Sequence, residues 1–236
     1  MEKCMRFFSP DGKLYQFIAR LWDIIVLNFC WFITGGLPAV LGFFLAQLSG
    51  MNGFYAICLI SLITFGPATI SACSILLKMV DDTEGYMFKP FFRGFKENFR
   101  QGVPMGAFAI LVFLAAYTEL YVLSHQMGIV AFFVLGVFTL VIGMVMLPLA
   151  FPLAARYENK MMNHLRNGFR ISMKFFGRTL LMWLVLLFEI VLFLWNEKTQ
   201  TVGLFVGPMV VMFTVCGFAL PMFRKLEADG GSVAQK

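Results

Sequence analysis

Charge is what this chain has least of. Only 14% of its 236 residues are charged, against 60% apolar. An ordinary soluble domain is about 25% charged, so no water-facing surface can be assembled from this composition. Histidine is scarce as well, His125 and His164 being the only two. The five cysteines (Cys4, Cys30, Cys58, Cys73 and Cys216) are scattered, at no spacing that suits a metal or a disulfide framework. Gly-x-Ser-x-Gly, His-Glu-x-x-His and P-loop patterns are missing. The chain is therefore expected to be no enzyme and to hold no metal or cofactor.

Apolar residues are abundant and arranged in long runs. With 29 Phe, disorder is excluded. A helix across the hydrocarbon needs about 20 apolar residues, and six stretches approach or meet that length: 21–48, 54–77, 103–124, 128–155, 180–195 and 202–223. Continuous runs of this kind argue against transmembrane strands, whose segments of about ten residues alternate. The fold class expected is all-α: a polytopic membrane helical bundle with about six transmembrane helices, forming one membrane domain over 1–225 with a tail at 226–236.

The nineteen Lys and Arg set an orientation. Eighteen precede span one, lie between spans two and three or four and five, or follow span six, leaving Lys198 alone on the other side. The positive-inside rule then places both termini and both long loops in the cytoplasm. The start of the chain does not read as a cleaved signal, because the first apolar run exceeds an h-region. Ser9-Pro10-Asp11 reads instead as a helix start.

Those basic segments have helical periodicity. Phe88, Phe91, Phe92, Phe95 and Phe99 form one stripe, with Lys89, Arg93, Lys96 and Arg100 opposite. After span four, Met161, Leu165, Phe169, Met173 and Phe176 form a stripe beside Arg166, Arg170, Lys174 and Arg178, with Asn159 a candidate cap. Before span one, Leu14, Phe17, Ile18 and Leu21 oppose Lys13, Gln16 and Arg20. Such helices lie in the membrane interface plane. Gly94-Phe95-Lys96 and Gly168-Phe169-Arg170 match at an offset of 74 residues, which suggests three units, each a basic helix followed by two spans. Candidate contacts for a partner or for lipid are Phe91, Phe95, Lys96, Phe99, Arg166, Phe169 and Arg170. The cations sit beside spans, where anionic lipid accounts for them, so nucleic acid is not an expected partner.

Ionisable groups within spans are functional candidates. Asp23 follows Arg20 by three residues, which suits an interfacial ion pair. Glu119 lies near an outer end, within reach of water. Glu189, nine residues into span five, is the strongest candidate. Asn28 reads as an interhelical hydrogen-bonding group. Gly102/Gly106, Ala150/Ala154 and Gly203/Gly207 suit close helix packing, and Gly66-Pro67, Pro148 and Pro152 are expected to break or kink their spans.

Four stretches carry a resemblance. They are Phe17-Ile18-Ala19-Arg20-Leu21-Trp22-Asp23 with Asn28 and Trp31; Gly66-Pro67-Ala68-Thr69 with Leu77-Lys78; Phe91-Phe92-Arg93-Gly94-Phe95-Lys96-Glu97-Asn98-Phe99; and Pro152-Leu153-Ala154-Ala155-Arg156-Tyr157-Glu158 with Asn167 and Arg178-Thr179-Leu180-Leu181. With these the chain resembles the YesL family of bacterial membrane proteins, which has a domain of unknown function. It departs from many members in a longer stretch between Asn28 and Gly66. The resemblance implies a multi-pass protein of the bacterial cell membrane. It also implies an accessory part in carbohydrate uptake by ABC transporters, whose permease subunits would be its partners. The alternative is a small transporter or channel in its own right, with Glu189 and the proline breaks lining its path.

Overall fold

The computed structural model describes residues 13–38, 40–41, 44, 48, 53–81, 87–123 and 130–229, with no β-strand among them. Eight α-helices follow one another: α1 (Lys13–Trp31), α2 (Gly53–Val80), α3 (Phe88–Glu97), α4 (Phe99–Tyr117), α5 (Val130–Arg156), α6 (Met161–Lys174), α7 (Phe176–Leu194) and α8 (Glu197–Ala228). Two continue as π-helical turns, α1 through Phe32–Gly36 and α4 through Thr118–Leu123. Six segments are long and apolar enough to cross a membrane, ending on α1, α2, α4, α5, α7 and α8. The short helices α3 and α6 carry the amphipathic patterns. Ser9-Pro10-Asp11 and much of 39–52 lie outside the described residues.

The outer faces show what solvent the fold requires. Along α7, Leu180, Leu181, Leu184, Leu187, Phe188, Val191 and Leu194 are each more than half exposed. On α5 the same holds for Val130, Phe133, Val134 and Phe138. Apolar surface this continuous belongs in lipid, not in water. The chain is a multi-pass membrane protein.

Helix α2 is the hub. It packs against α3, α4, α5, α8 and the π turn after α1, and 67% of its span is buried against 17–28% for the other five. Between membrane helices, close backbone approach replaces hydrophobic driving force. Where α2 crosses α4, a Cβ on Gly66 would stand 1.9 Å from the Gly102 carbonyl oxygen, and one on Gly106 would stand 2.4 Å from the Gly66 nitrogen. The Gly102/Gly106 pair thus works as expected. Gly203 and Gly207 instead receive the ring of Phe193 from α7.

Proline does not interrupt these spans. Pro67, Pro148, Pro152, Pro208 and Pro221 all lie inside continuous helices, so of the break or kink expected at Gly66-Pro67, Pro148 and Pro152 the break does not occur. Pro208 leaves the Leu204 carbonyl without its i+4 donor. From α1 the Asn28 amide donates to Phe205 O at 2.8 Å and Leu204 O at 3.5 Å.

The repeated glycines have one role in two places. Gly94 brings α3 against α2 at Ser71, whose hydroxyl donates to Phe91 O at 2.6 Å. Gly168 brings α6 onto α5 at Met146 O and Ala150, and the Ser172 hydroxyl donates to Val145 O at 2.8 Å. Each basic helix is therefore pinned to the span before it. The first unit differs: α1 runs from its basic start into its span without a break.

Candidate functional site

One end of the bundle gathers α3, α6 and the last turns of α2, α5 and α8. A cleft of about 910 Å³ opens there, lined by Lys78 and Asp81 of α2's end, Lys89, Arg93 and Glu97 of α3, and Arg156 of α5. A second cavity of about 680 Å³ shares Glu97 and Asn98 with it and reaches Arg100, Glu158 and Lys160. Polar groups beneath are already satisfied: Ser74 Oγ donates to Ser71 O and Asn98 Nδ2 to Gly94 O.

Helix α8 extends past the span core and stitches this end together. Arg156 meets Glu227 in a bidentate pair at 3.1 and 3.2 Å, and the Tyr157 hydroxyl donates to the same carboxylate at 2.5 Å. Arg224 pairs with Asp81, and Lys174 with Asp229 at 3.4 Å. Burial, and then the Glu227 carboxylate beside it, holds the Tyr157 hydroxyl well above its usual range. Nearby, Gln101 of α4 lies 2.7 Å from the His164 Nε2 of α6. The sequence reading missed this network. Its only signal was Arg156-Tyr157 closing one span and Glu227 and Asp229 closing another.

Of the candidate contact residues, Phe91 must be withdrawn. It is fully buried, between α2 and its own helix, and serves as core. Phe95 is half-buried and packs against the same cluster. Lys96, Phe99, Arg166, Phe169 and Arg170 are exposed. On α6 the packed face is His164, Leu165, Gly168, Ile171 and Ser172. Of the expected stripe, Phe169, Met173 and Phe176 face outward, because Gly168 and Ser172 are the residues small enough to meet α5. Asn159 does not cap α6 through its backbone amides; its Oδ1 accepts from Lys160 N and Asn163 Nδ2.

The three polar candidates within spans lie apart. Asn28 bridges α1 to α8 as described. Asp23 is half-buried, and no ionic partner for it appears among the described residues. Glu189 does not reach outward: its Oε1 accepts from Thr214, midway along α8, at 2.5 Å, and its buried Oε2 has no hydrogen-bond partner. Glu119 is held likewise by Thr139 of α5, at 2.8 Å. Among the described residues no group of three His, Cys, Asp or Glu could hold a metal.

Residues 24–120, under half of the chain, match a family model described as "Protein of unknown function, DUF624". The matched stretch covers the α1–α4 half, including the Gly66 crossing and α3, and shows similarity to that family without assigning an activity. No curated protein matches the chain, and no solved structure matches it.

Proposed function

We propose that this protein is an accessory subunit of the bacterial cell membrane, its cation-rich end and both termini in the cytoplasm, that assists a carbohydrate ABC transporter. It contacts permease subunits and the anionic leaflet, and has no catalytic activity of its own. The YesL resemblance supplies the transporter. The observation that supports docking is the way α3 and α6 are fixed. Each is pinned to a span on one face, while Lys96 of α3 and Arg166, Phe169 and Arg170 of α6 stand exposed on the other, and Phe99 is exposed where α4 begins. A pre-positioned helix face costs less to bind than one that must first be ordered. Purification in mild detergent at native expression, after sugar induction, should recover permease subunits. Recovery of the protein alone would overturn the reading.

A second reading rests on Glu189, whose buried oxygen lacks a partner. Intramembrane carboxylates of this kind mark ion or proton paths in transporters. Flux through reconstituted vesicles would measure it, and a flux unchanged by Glu189→Gln would remove Glu189 from any path.

A further inference from the structure

Helix α6 has three faces. At about 100° per residue, His164, Leu165, Gly168, Ile171 and Ser172 fall together and are buried against the bundle. A second stripe is apolar and open, with Met162 at 56%, Phe169 at 42% and Met173 at 46% exposure. Arg166, Arg170 and Lys174 make a third stripe beside it, also exposed. An amphipathic helix on a water-facing surface needs only a buried side and a polar one. The extra apolar stripe of α6 needs an occupant.

Continuity with the lipid-facing side of α7 identifies that occupant. Phe175 joins the two helices with φ −111° and ψ 41°, against a ψ of about −42° in a helix, so the chain turns there. Across the bend the exposed apolar residues continue, from Met173 to Phe176, Leu180 and Leu184. The 19 residues of α7 reach about 28 Å at about 1.5 Å each, which matches a hydrocarbon core of about 30 Å. Helix α6 therefore meets α7 where the apolar core ends, at the level of the head groups.

Charge at that level is positive. Between 158 and 178 five cations, Lys160, Arg166, Arg170, Lys174 and Arg178, stand against Glu158 alone. Counting Asp229, which pairs with Lys174, leaves an excess of three. Arg166, Arg170 and Arg178 have no ion pair among the described residues. The acids outside the described residues, Glu2, Asp11, Asp82 and Glu84, adjoin α1, α2 and α3 in sequence. Helix α6 packs instead against α4, α5 and α7.

We propose that the outer face of α6 is seated in the anionic leaflet. Phe169, Met173 and Phe176 insert among the acyl chains, and Arg166, Arg170 and Arg178 lie at the phosphates. This seat rests on the cytoplasmic placement of the cation-rich end proposed above, and it divides the two basic helices. Helix α6 takes the lipid, and α3 is left to the permease.

Spin labels on the full chain, reconstituted in vesicles and in a cysteine-free background, test this. Nitroxides are placed by Phe169→Cys, Met173→Cys and Arg170→Cys, all exposed positions. Leu184→Cys on α7 gives the lipid reference and Lys198→Cys the aqueous one. Each label is read by collision with oxygen, which enters lipid, and with a water-soluble nickel chelate, which does not. In vesicles of phosphatidylcholine with phosphatidylglycerol, Phe169→Cys and Met173→Cys should follow the lipid reference and Arg170→Cys the aqueous one. Nickel access equal at all three positions would put the face in water and overturn the insertion. In phosphatidylcholine alone the two inserted labels should shift toward water. Immersion unchanged by that exchange would overturn the anionic leaflet as occupant. Arg166→Ala with Arg178→Ala should abolish the difference between the lipids, and a difference that survives would overturn these arginines as its source. The vesicles hold no permease and the same lipids in both leaflets. Failure of the transporter reading or of the orientation would therefore leave these results unchanged.

Discussion

Gly66 and Gly217 are alike in sequence and unlike in consequence. A methyl group on Gly66 would overlap the Gly102 carbonyl at 1.9 Å, whereas a Cβ on Gly217 meets nothing within 4 Å. Because backbone cannot yield as a side-chain tip can, Gly66→Ala should destabilise by about 1–3 kcal/mol or more. Gly217→Ala should be neutral or slightly stabilising through helix propensity. Thermal unfolding in detergent would show a lowered midpoint for the first alone. Asn28→Leu leaves the Phe205 carbonyl without its 2.8 Å donor and should cost about 1 kcal/mol, typical of an interhelical hydrogen bond in a membrane. Sequence placed Asn28, Gly102 and Gly106 at helix contacts because their side chains suit nothing else in a span. It could not show that Asn28 reaches the Phe205 carbonyl, since only packing brings α1 to α8.

At the scale of elements, α8 is longer than its apolar run. At about 1.5 Å per residue its 32 residues exceed the hydrocarbon thickness of about 30 Å. The surplus turns carry Arg224, Glu227 and Asp229 to α2, α5 and α6. The Tyr157 contribution is pH-dependent in a definite direction. Its folded pKa is raised by burial and by Glu227, so the native state holds the proton more tightly than the unfolded chain. Stability from this group is complete below about pH 10, the unfolded value, and is lost as pH rises beyond it. Tyr157→Phe should flatten the alkaline fall in unfolding midpoint and leave the neutral range nearly parallel. Glu227→Ala, which strips Arg156 of its bidentate partner at low exposure, should cost about 1–3 kcal/mol. The helical period of α3 and α6 was legible in the sequence. Which side packs was not, because Gly168 and Ser172 face the neighbour through smallness, and a hydrophobic stripe gives no weight to smallness.

For the whole molecule, orientation is open to direct measurement. In a background with the five native cysteines replaced, Lys198→Cys should react with a membrane-impermeant maleimide added to intact cells. Arg170→Cys should react only after permeabilisation. The reverse pattern would invert the bundle. The sequence by itself determined the class of the fold, the number of spans and the gathering of cations at one end. These follow from solvent transfer and helix length, which are local sums over residues. Only the tertiary structure decided which span is central, that Phe91 is core and not a contact, and that Glu189 turns inward to Thr214. It alone made Arg156, Tyr157 and Glu227 one cluster. Those facts depend on pairs of residues far apart in the chain, and a side chain's environment is set by the neighbour it meets rather than by its own kind.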